Sequence, residues 1–466
     1  MMVITLVSLG KIKFLFSRVS SFHVRFLTQL ERQERIEMAT KKLPRYREDP
    51  VIMKLDTPEF HSIFTPELNI LSDLFKKYNF EIRIAGGAVR DMLMGMMPKD
   101  IDFATTATPD QMKDMFTKEN IRMINMNGEK HGTVTSRINN KENFEITTLR
   151  IDVVTYGRRA DVEFTTDWRL DANRRDLTIN SMFLDLDGHV YDYFFGYEDL
   201  QKRRIAFVGD ASTRIQEDYL RILRYFRFYG RVANDSNSHE DATIKAIKEN
   251  VEGMSNISGE RIWSEWSKIL EGRFAGELMI KMIECDMAKY IGLPANLDLR
   301  SFKNVYSRAM NNGLKLKPIV LITSMLKDEG EVMNLHQRLK LSAYDRDLAL
   351  FIVHNRHDRP CENPLKPYQH LTLIFKGKVQ DSKTFVSEVL KYRGDVNLLN
   401  EFEKWDIPRF PINGHMLKPL VPHGKMIGPV MTALKAIWLE HNFQIPPEKL
   451  LTFVPNIIAE LKEKKK

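Results

Sequence analysis

The sequence predicts an α+β fold, with an N-terminal head built from a mixed sheet and helices and an all-α remainder. Three observations predict this fold. Short segments between residues 82 and 150 alternate apolar and polar side chains, as half-buried strands do. Residues 217–231 repeat apolar side chains at helical spacing. From Glu277 onward, helical patterns are separated by proline and glycine, without an internal repeat.

Length and composition limit the classes of protein that the chain can represent. Its 466 residues are enough for about two to four domains. Lysine and arginine (70) outnumber aspartate and glutamate (62), and the resulting charge of +8 favours a polyanionic partner. Cys285 and Cys361 lie too far apart for a metal or redox motif, which favours reduced thiols. No apolar run approaches the length of a bilayer-spanning helix, so no membrane partner is expected.

The N-terminal segment has the composition of a mitochondrial transit peptide. It is rich in serine and aromatic residues and has no acid before Glu31, and its basic residues are Lys11, Lys13, Arg18 and Arg25. A secretory signal is the alternative, because Val3–Leu9 is apolar, but there the basic residues follow the apolar run. We expect residues 1–37 to be a presequence. Met38 offers a second start that would give a nuclear or cytosolic form.

The first candidate site begins at a strand that contains Ile82 and Ile84 and ends at Gly86-Gly87. A short helix is predicted from Ala88 onward. Glycines without Cβ atoms let the backbone approach a triphosphate, and Arg90 could add charge-assisted hydrogen bonds. This segment therefore predicts a phosphate-binding turn.

Asp100 and Asp102 follow directly. On a strand these carboxylates project to one face, while Ile101 and Phe103 project into the core. Two ionised carboxylates at such positions repel each other unless a divalent cation lies between them. A solvated strand edge is the plainer interpretation of either motif alone, but their order and spacing together favour a metal site.

The stretches GGAVRD and DIDFA resemble the signature of polymerase-β-like nucleotidyltransferases. In this form they are similar to class II tRNA nucleotidyltransferases, the CCA-adding enzymes, and to bacterial poly(A) polymerases. The resemblance implies a polymerase-β-like head and two Mg²⁺ ions held by Asp100 and Asp102. It also implies a third carboxylate from a neighbouring strand. Phe144–Arg150 alternates as a strand, and Glu145 is its only acid, so Glu145 is the candidate, although a strand-edge pair with Arg150 is the alternative.

Further segments match later motifs of the same family. RRDLTINSM, residues 174–182, implies that Arg175 and Asp176 contact the sugar and phosphate of the nucleotide and that Asn180 orders the site. Residues 192–210 are expected to form a hairpin or meander that closes the head. ISGERIWSEWSKIL, residues 257–270, implies ion-pairing roles for Arg261 and Glu265.

Residues 217–231 are predicted to form one helix that reads the base. Asp218 and Arg221 are spaced i and i+3, so their side chains would lie side by side. An aspartate accepts from an exocyclic amino group and an arginine donates to a ring nitrogen, which suits cytosine and adenine and rejects guanine and uracil. The match to EDxLRxxRxxRF implies that Arg224 and Arg227 also bind the nucleotide.

These expectations define an enzyme that adds C, C and A to the 3′ end of tRNA from CTP and ATP. The predicted domains are a catalytic head at 45–205, a helical neck at 206–290, and a tRNA-binding body and tail at 291–466, in a monomer or homodimer. Two alternatives stay open. A poly(A) polymerase would use the same motifs to add only A, and a non-catalytic RNA-binding module would not need the acidic pair.

Overall fold

The computed structural model describes residues 34–124, 126–156, 159–357, 361–375 and 379–463. Most of the predicted presequence lies outside these residues. The strands are β1 (Val51–Lys54), β2 (Ile82–Ala85), β3 (Asp102–Thr105), β4 (Arg122–Ile124), β5 (Thr133–Ile138), β6 (Glu142–Thr148), β7 (Arg150–Tyr156), β8 (Arg159–Phe164), β9 (Phe183–Asp185) and β10 (His189–Tyr191).

The helices from residue 58 onward follow in chain order. Those up to residue 284 are α1 (Pro58–Ser62), α2 (Pro66–Lys77), α3 (Gly87–Leu93), α4 (Pro109–Lys118), α5 (Trp168–Asn173), α6 (Gly196–Gln201), α7 (Ala211–Glu217), α8 (Arg221–Val232), α9 (Asp241–Asn250), α10 (Gly259–Glu271) and α11 (Ala275–Glu284). Those after it are α12 (Leu299–Asn311), α13 (Pro318–Thr323), α14 (Glu329–Leu339), α15 (Ala343–Asn355), α16 (Lys366–Ile374), α17 (Val379–Arg393), α18 (Val396–Lys404), α19 (Gly414–Leu417), α20 (Ile427–Glu440), α21 (Pro447–Leu451) and α22 (Val454–Glu463).

The chain forms two compact units. One comprises the chain through Arg261 together with Gly272–Met287, and the other comprises Ile262–Glu271 and the chain from Ala288 onward. The first unit contains the strands and the second is helical in its described part, so the predicted α+β class is confirmed. None of the helices within the described ranges is long and apolar enough to cross a membrane.

Within the described part of the first unit, eight strands form one mixed sheet in the order β1–β10–β9–β2–β3–β6–β5–β4. Neighbouring strands are antiparallel, except that β3 and β6 are parallel. Their register pairs Asp102 with Glu145, so the predicted placement of Glu145 beside the acidic strand is confirmed. Strands β7 and β8 form a separate hairpin.

Helices α2 and α4 begin at capping threonines. Thr65 and Thr108 each cap a helix whose first residue is proline, and Thr108 forms a full capping box with Gln111. The apolar faces of the two helices meet where the rings of Phe75 and Phe116 pack edge to face, 6.3 Å apart. This packing supports the sheet that carries the candidate site.

The segment Leu43–Asp49, which we call the strap, packs against the head. Leu43 and Tyr46 contact the core cluster that includes Trp168. The backbone N–H of Arg47 donates to the carbonyl oxygen of Tyr193 at 2.9 Å. A chain that starts at Met38 therefore keeps the strap.

Two predicted elements were wrong. Residues 192–210 do not form a hairpin, because they contain helix α6, whose first turn is held by Asp192 through the backbone N–H groups of Gly196 and Tyr197 at 2.9 and 3.0 Å. Residues 217–231 are not one helix. The chain leaves helical geometry at Asp218, with φ −154° and ψ 105°, and helix α8 starts only at Arg221.

Candidate functional site

The two candidate metal ligands lie at the start of β3. The prediction that both belong to one strand was wrong, because Asp102 opens the strand and Asp100 precedes it by two residues. Both side chains are exposed, and with Glu145 they line one cavity of about 540 Å³. The surrounding protein partly desolvates the Asp102 carboxyl group and so raises its pKa. The positive charge of Arg175 opposes this shift, and the negative charge of Asp100 adds to it.

This arrangement suits a divalent cation. Repulsion between Asp100 and Asp102 disfavours their joint ionisation, and a cation ligated by their oxygens would relieve it. Among the residues that the structure describes, no group of three acidic, histidine or cysteine side chains is arranged to hold a metal ion. The third ligand, for which Glu145 is the candidate, therefore stays a prediction.

Gly86 brings two motifs into close contact. Its φ of +69° favours glycine, and a Cβ at this position would lie 2.9 Å from Nη1 of Arg175 and 3.3 Å from the backbone oxygen of Asn180. The Gly86 N–H donates to the carbonyl oxygen of Met182 at 3.0 Å, so it pairs with the backbone. Gly87 opens α3. The predicted glycine turn thus packs closely against the segment that carries Arg175 and Asn180.

Arg175 is oriented by a buried acid. Asp171, which is 1% exposed, accepts from Nη2 of Arg175 at 3.0 Å and from Nε of Arg174 at 2.8 Å. Burial opposes ionisation of Asp171, but the two arginines outweigh it and lower the pKa of this carboxyl group. Burial also lowers the pKa of Arg175. Asp171 therefore holds a cation beside Asp102.

Asp176 is paired with the predicted base-reading helix. Its Oδ2 accepts from Nε of Arg224 at 2.6 Å. Burial opposes ionisation, but Arg224 outweighs it and lowers the pKa of Asp176 to about 2. Two residues predicted to bind the nucleotide, Asp176 and Arg224, are thus brought together as an ion pair.

Arg90 is buried, although the sequence predicted that it would contact a phosphate group. The residue is 3% exposed, and its guanidinium group donates to Asp91 Oδ1 and to Asn180 Oδ1. It also lies over the ring of Phe228, 4.8 Å from the centroid. Arg227 approaches the same ring at 5.0 Å.

Asp218 and Arg221 have separate partners in this structure, which corrects the prediction that they pair along one helix. Asp218 Oδ2 accepts from Nη2 of Arg261 at 2.7 Å. Arg221, which is 9% exposed, donates to Glu217 Oε2 at 2.5 Å and to the carbonyl oxygen of Arg174 at 2.8 Å. The ion-pairing role predicted for Arg261 is present, and Asp218 lies at the kink before the helix that carries Arg221.

Sequence reasoning missed two anchoring acids. Asp171 lies three and four residues before Arg174 and Arg175 in a helical segment, and this spacing could have indicated the pairing. Asp91 binds Arg231 at 2.6 Å across 140 residues of chain, for which the sequence carries no signal.

Two family models match segments of the chain. Residues 82–206 match the family model described as Poly A polymerase head domain. Residues 239–295 match the model described as Probable RNA and SrmB-binding site of polymerase A.

The chain is also similar to named enzymes. It is 51% identical to the mitochondrial CCA tRNA nucleotidyltransferase 1 of Homo sapiens over 407 residues, which cover 86% of this chain and 93% of that one. It is 51% identical to the protein of the same name from Danio rerio over 405 residues, with the same coverage. The crystal structure of the Bacillus stearothermophilus CCA-adding enzyme with CTP has the same fold, with a TM-score of 0.67 at 23% identity over 88% of this chain and all of that one.

Proposed function

Because the chain belongs to the CCA tRNA nucleotidyltransferase family, we propose that it adds C, C and A to the 3′ end of tRNA from CTP and ATP without a nucleic-acid template. The observation that carries the proposal is the extent of the similarity, since it spans 93% of the human enzyme and includes the head and the helical remainder. The acidic pair at β3 and the close packing of Gly86 on Arg175 support it.

For the chemistry, Asp100 and Asp102 would hold two Mg²⁺ ions, which when bound lower the pKa of the tRNA 3′-hydroxyl group and neutralise charge on the triphosphate. The chain's own residues orient the substrates. Gly86 lets the segment that carries Arg175 and Asn180 pack closely on the glycine turn, and Arg175 places positive charge beside Asp102. Arg175, and Asp176 paired with Arg224, would contact the sugar and phosphate of the nucleotide, and Asn180 would order the site.

Base choice would depend on Asp218 and Arg221. Cytosine and adenine present an amino donor beside a ring-nitrogen acceptor, so a carboxylate and a guanidinium group match both bases. Guanine and uracil would leave these polar groups unpaired, which is costly in a site shielded from water. To bind the base, Arg221 would have to give up its hydrogen bond to Glu217.

A poly(A) polymerase is the second candidate, because the head domain model that matches residues 82–206 carries that description. Such an enzyme would add A repeatedly and would not use CTP. A non-catalytic RNA-binding module is less well supported, because both carboxylates are retained at one cavity.

For localisation, we propose that residues 1–37 direct the chain to mitochondria, as the names of its relatives suggest, and that a Met38-initiated form serves the nucleus or cytosol. A fluorescent fusion that starts at Met1 should enter mitochondria, and one that starts at Met38 should not. Exclusion of the longer fusion from mitochondria would contradict the first half of this proposal.

The direct test uses the full chain, Mg²⁺ and tRNA that ends at the discriminator base. With CTP and ATP the product should grow by C, C and A and then stop, and GTP or UTP alone should give no extension. Long adenylate tails from ATP alone would indicate the poly(A) alternative. No extension under any condition would contradict both enzymatic functions.

A further inference from the structure

Arg90 has the surroundings of a positioning residue. Its Nε and Nη2 donate to Asp91 Oδ1 at 3.0 and 2.8 Å, and its Nη1 donates to Asn180 Oδ1 at 2.5 Å. With the ring of Phe228 against the guanidinium group, the side chain is enclosed on several sides. Burial lowers the pKa of Arg90, and the adjacent Asp91 opposes that effect.

The contact with Arg90 decides which way the Asn180 amide points. An arginine can only donate, so the amide atom that faces Arg90 must be the oxygen. The NH₂ group of Asn180 is then directed elsewhere. Asn180 is 6% exposed, and its Nδ2 has no hydrogen-bond partner among the described residues. A buried donor without a partner destabilises the folded protein, so its presence points to an acceptor supplied by a ligand.

The position of Asn180 agrees with such a ligand. Its backbone oxygen lies 3.3 Å from the point where a Cβ of Gly86 would be, and Arg175, which is electrostatically coupled to Asp102, lies beside the same point. The free amide donor therefore belongs to the segment that packs on the glycine turn.

The network continues to the base-reading helix. Asp91 is 5% exposed and its second oxygen, Oδ2, accepts from Nη2 of Arg231 at 2.6 Å. Arg231 lies near the end of α8, the helix that begins with Arg221. Charge-assisted hydrogen bonds therefore connect α8, α3 and the short 3-10 helix Thr178–Asn180, in the order Arg231, Asp91, Arg90 and Asn180.

We propose that Arg90 acts through Asn180, with Asp91 and Arg231 holding it in place, so that the Asn180 amide donates to an oxygen of the bound nucleotide. This inference rests on the proposed function, because it requires a nucleoside triphosphate beside Gly86. The acceptor is either a ribose hydroxyl or a phosphate oxygen, and the two are distinguished by the ligand used.

A double-mutant cycle tests the proposal. CTP binding with Mg²⁺ is measured by titration calorimetry for the full wild-type chain, Arg90→Gln, Asn180→Ala and the double variant. Each single change should weaken binding about tenfold, and the double variant should be no more than about threefold weaker than either, because both remove one donor. Additive losses would mean that Arg90 contacts the nucleotide itself. Unchanged affinity in Asn180→Ala would mean that Asn180 donates no hydrogen bond to the nucleotide. Either result overturns the proposal.

Further variants distinguish loss of the hydrogen bond from misfolding of the protein. Asn180→Asp keeps an acceptor for Arg90 but loses the donor, so it should bind CTP as weakly as Asn180→Ala; wild-type affinity would overturn the proposal. Arg231→Gln changes a side chain that is 36% exposed, and it should cost about threefold, with recovery in Arg231→Lys. The matched control is Arg169→Gln, which breaks an ion pair with Asp167 and should leave CTP affinity unchanged.

Two ligands separate the possible acceptors. If the ribose is the acceptor, Asn180→Ala should weaken binding of CTP but not of inorganic pyrophosphate with Mg²⁺. If a phosphate oxygen is the acceptor, both should weaken. Wild-type protein that binds no CTP would refute the proposed function together with this inference, whereas wild-type binding with unaffected variants would refute the inference alone.

Discussion

Asp218 is held by Arg261 across 43 residues of chain, with Nη2 of the arginine 2.7 Å from Oδ2 of the carboxylate. The other oxygen accepts from the backbone N–H of Leu220 at 3.2 Å. Both contacts fix the carboxylate at the kink between α7 and α8. Arg261 thereby orients the acid that we assign to base selection.

Arg261→Gln should loosen that carboxylate without removing it. We expect the ratio of CTP to UTP incorporation to fall about tenfold, because an acceptor that rotates freely no longer penalises the wrong base. Incorporation of each nucleotide into tRNA by single-turnover kinetics measures the ratio. An unchanged ratio with a lower overall rate would show that Arg261 supports only the fold.

Arg221→Ala should lower incorporation of both C and A and relax discrimination against U. The change also removes hydrogen bonds to Glu217 and to the carbonyl oxygen of Arg174, so the urea midpoint is measured in parallel. Nucleotide preference is a ratio and is insensitive to a reduced fraction of folded protein. Unaltered preference would contradict the assignment of Arg221.

Asp100→Ala should abolish nucleotide addition while tRNA binding stays within about twofold, because we assign this exposed carboxylate to cation binding and not to the RNA surface. Activity is read from product length and binding from a filter assay. Asp187→Ala, another exposed acid of the head, is the control and should stay active. Turnover retained in Asp100→Ala would refute the metal-site assignment.

The half-buried His239 predicts a pH dependence of stability. Burial, followed by the charge of Lys281, lowers the pKa of His239 from 6.5 to about 4. Above pH 6.5 both folded and unfolded states are neutral at this residue. Between pH 6.5 and 4 the unfolded state binds a proton that the folded state does not, so stability falls by about 1–2 kcal/mol at pH 5.

Urea unfolding at pH 7 and pH 5 measures this loss. His239→Gln should flatten the difference between the two pH values, although it also removes the hydrogen bond with the hydroxyl group of Tyr225. His61→Gln, at a side chain that is 63% exposed, should leave the difference in place. Equal pH dependence in all three proteins would contradict the prediction.

Arg47 should matter for stability more than its position near the chain's start suggests. It pairs with the fully buried Asp192 at 3.9 Å, contacts Glu198, and lies over the ring of Phe195 at 4.7 Å. Arg47→Ala would leave a buried carboxylate without its cation, at a cost of about 1–3 kcal/mol. Arg35→Ala breaks a more exposed pair with Glu163 and should cost less than about 0.5 kcal/mol. Equal urea midpoints for the two variants would contradict the strap's role.

Sequence reasoning predicted those parts of the fold that depend on neighbouring residues. The strand that ends at Gly86 is set by local spacing, and the structure has it at the expected position. The pairing of β3 with β6 followed from the alternation of both strands. The kink at Asp218 was not predicted, because the apolar spacing continues through it.

By itself, the sequence determined the elements of the head, the chemistry available to its acidic pair, and the kind of base that an aspartate and an arginine can select. Only the tertiary structure decided which side chains these residues contact. Arg90 was expected to contact phosphate, yet it donates a hydrogen bond to Asn180 across 90 residues of chain. Asp218 pairs with Arg261 and not with Arg221. Propensity and spacing act over a few residues, whereas a buried charge takes whichever partner the packing of distant segments brings within hydrogen-bond distance.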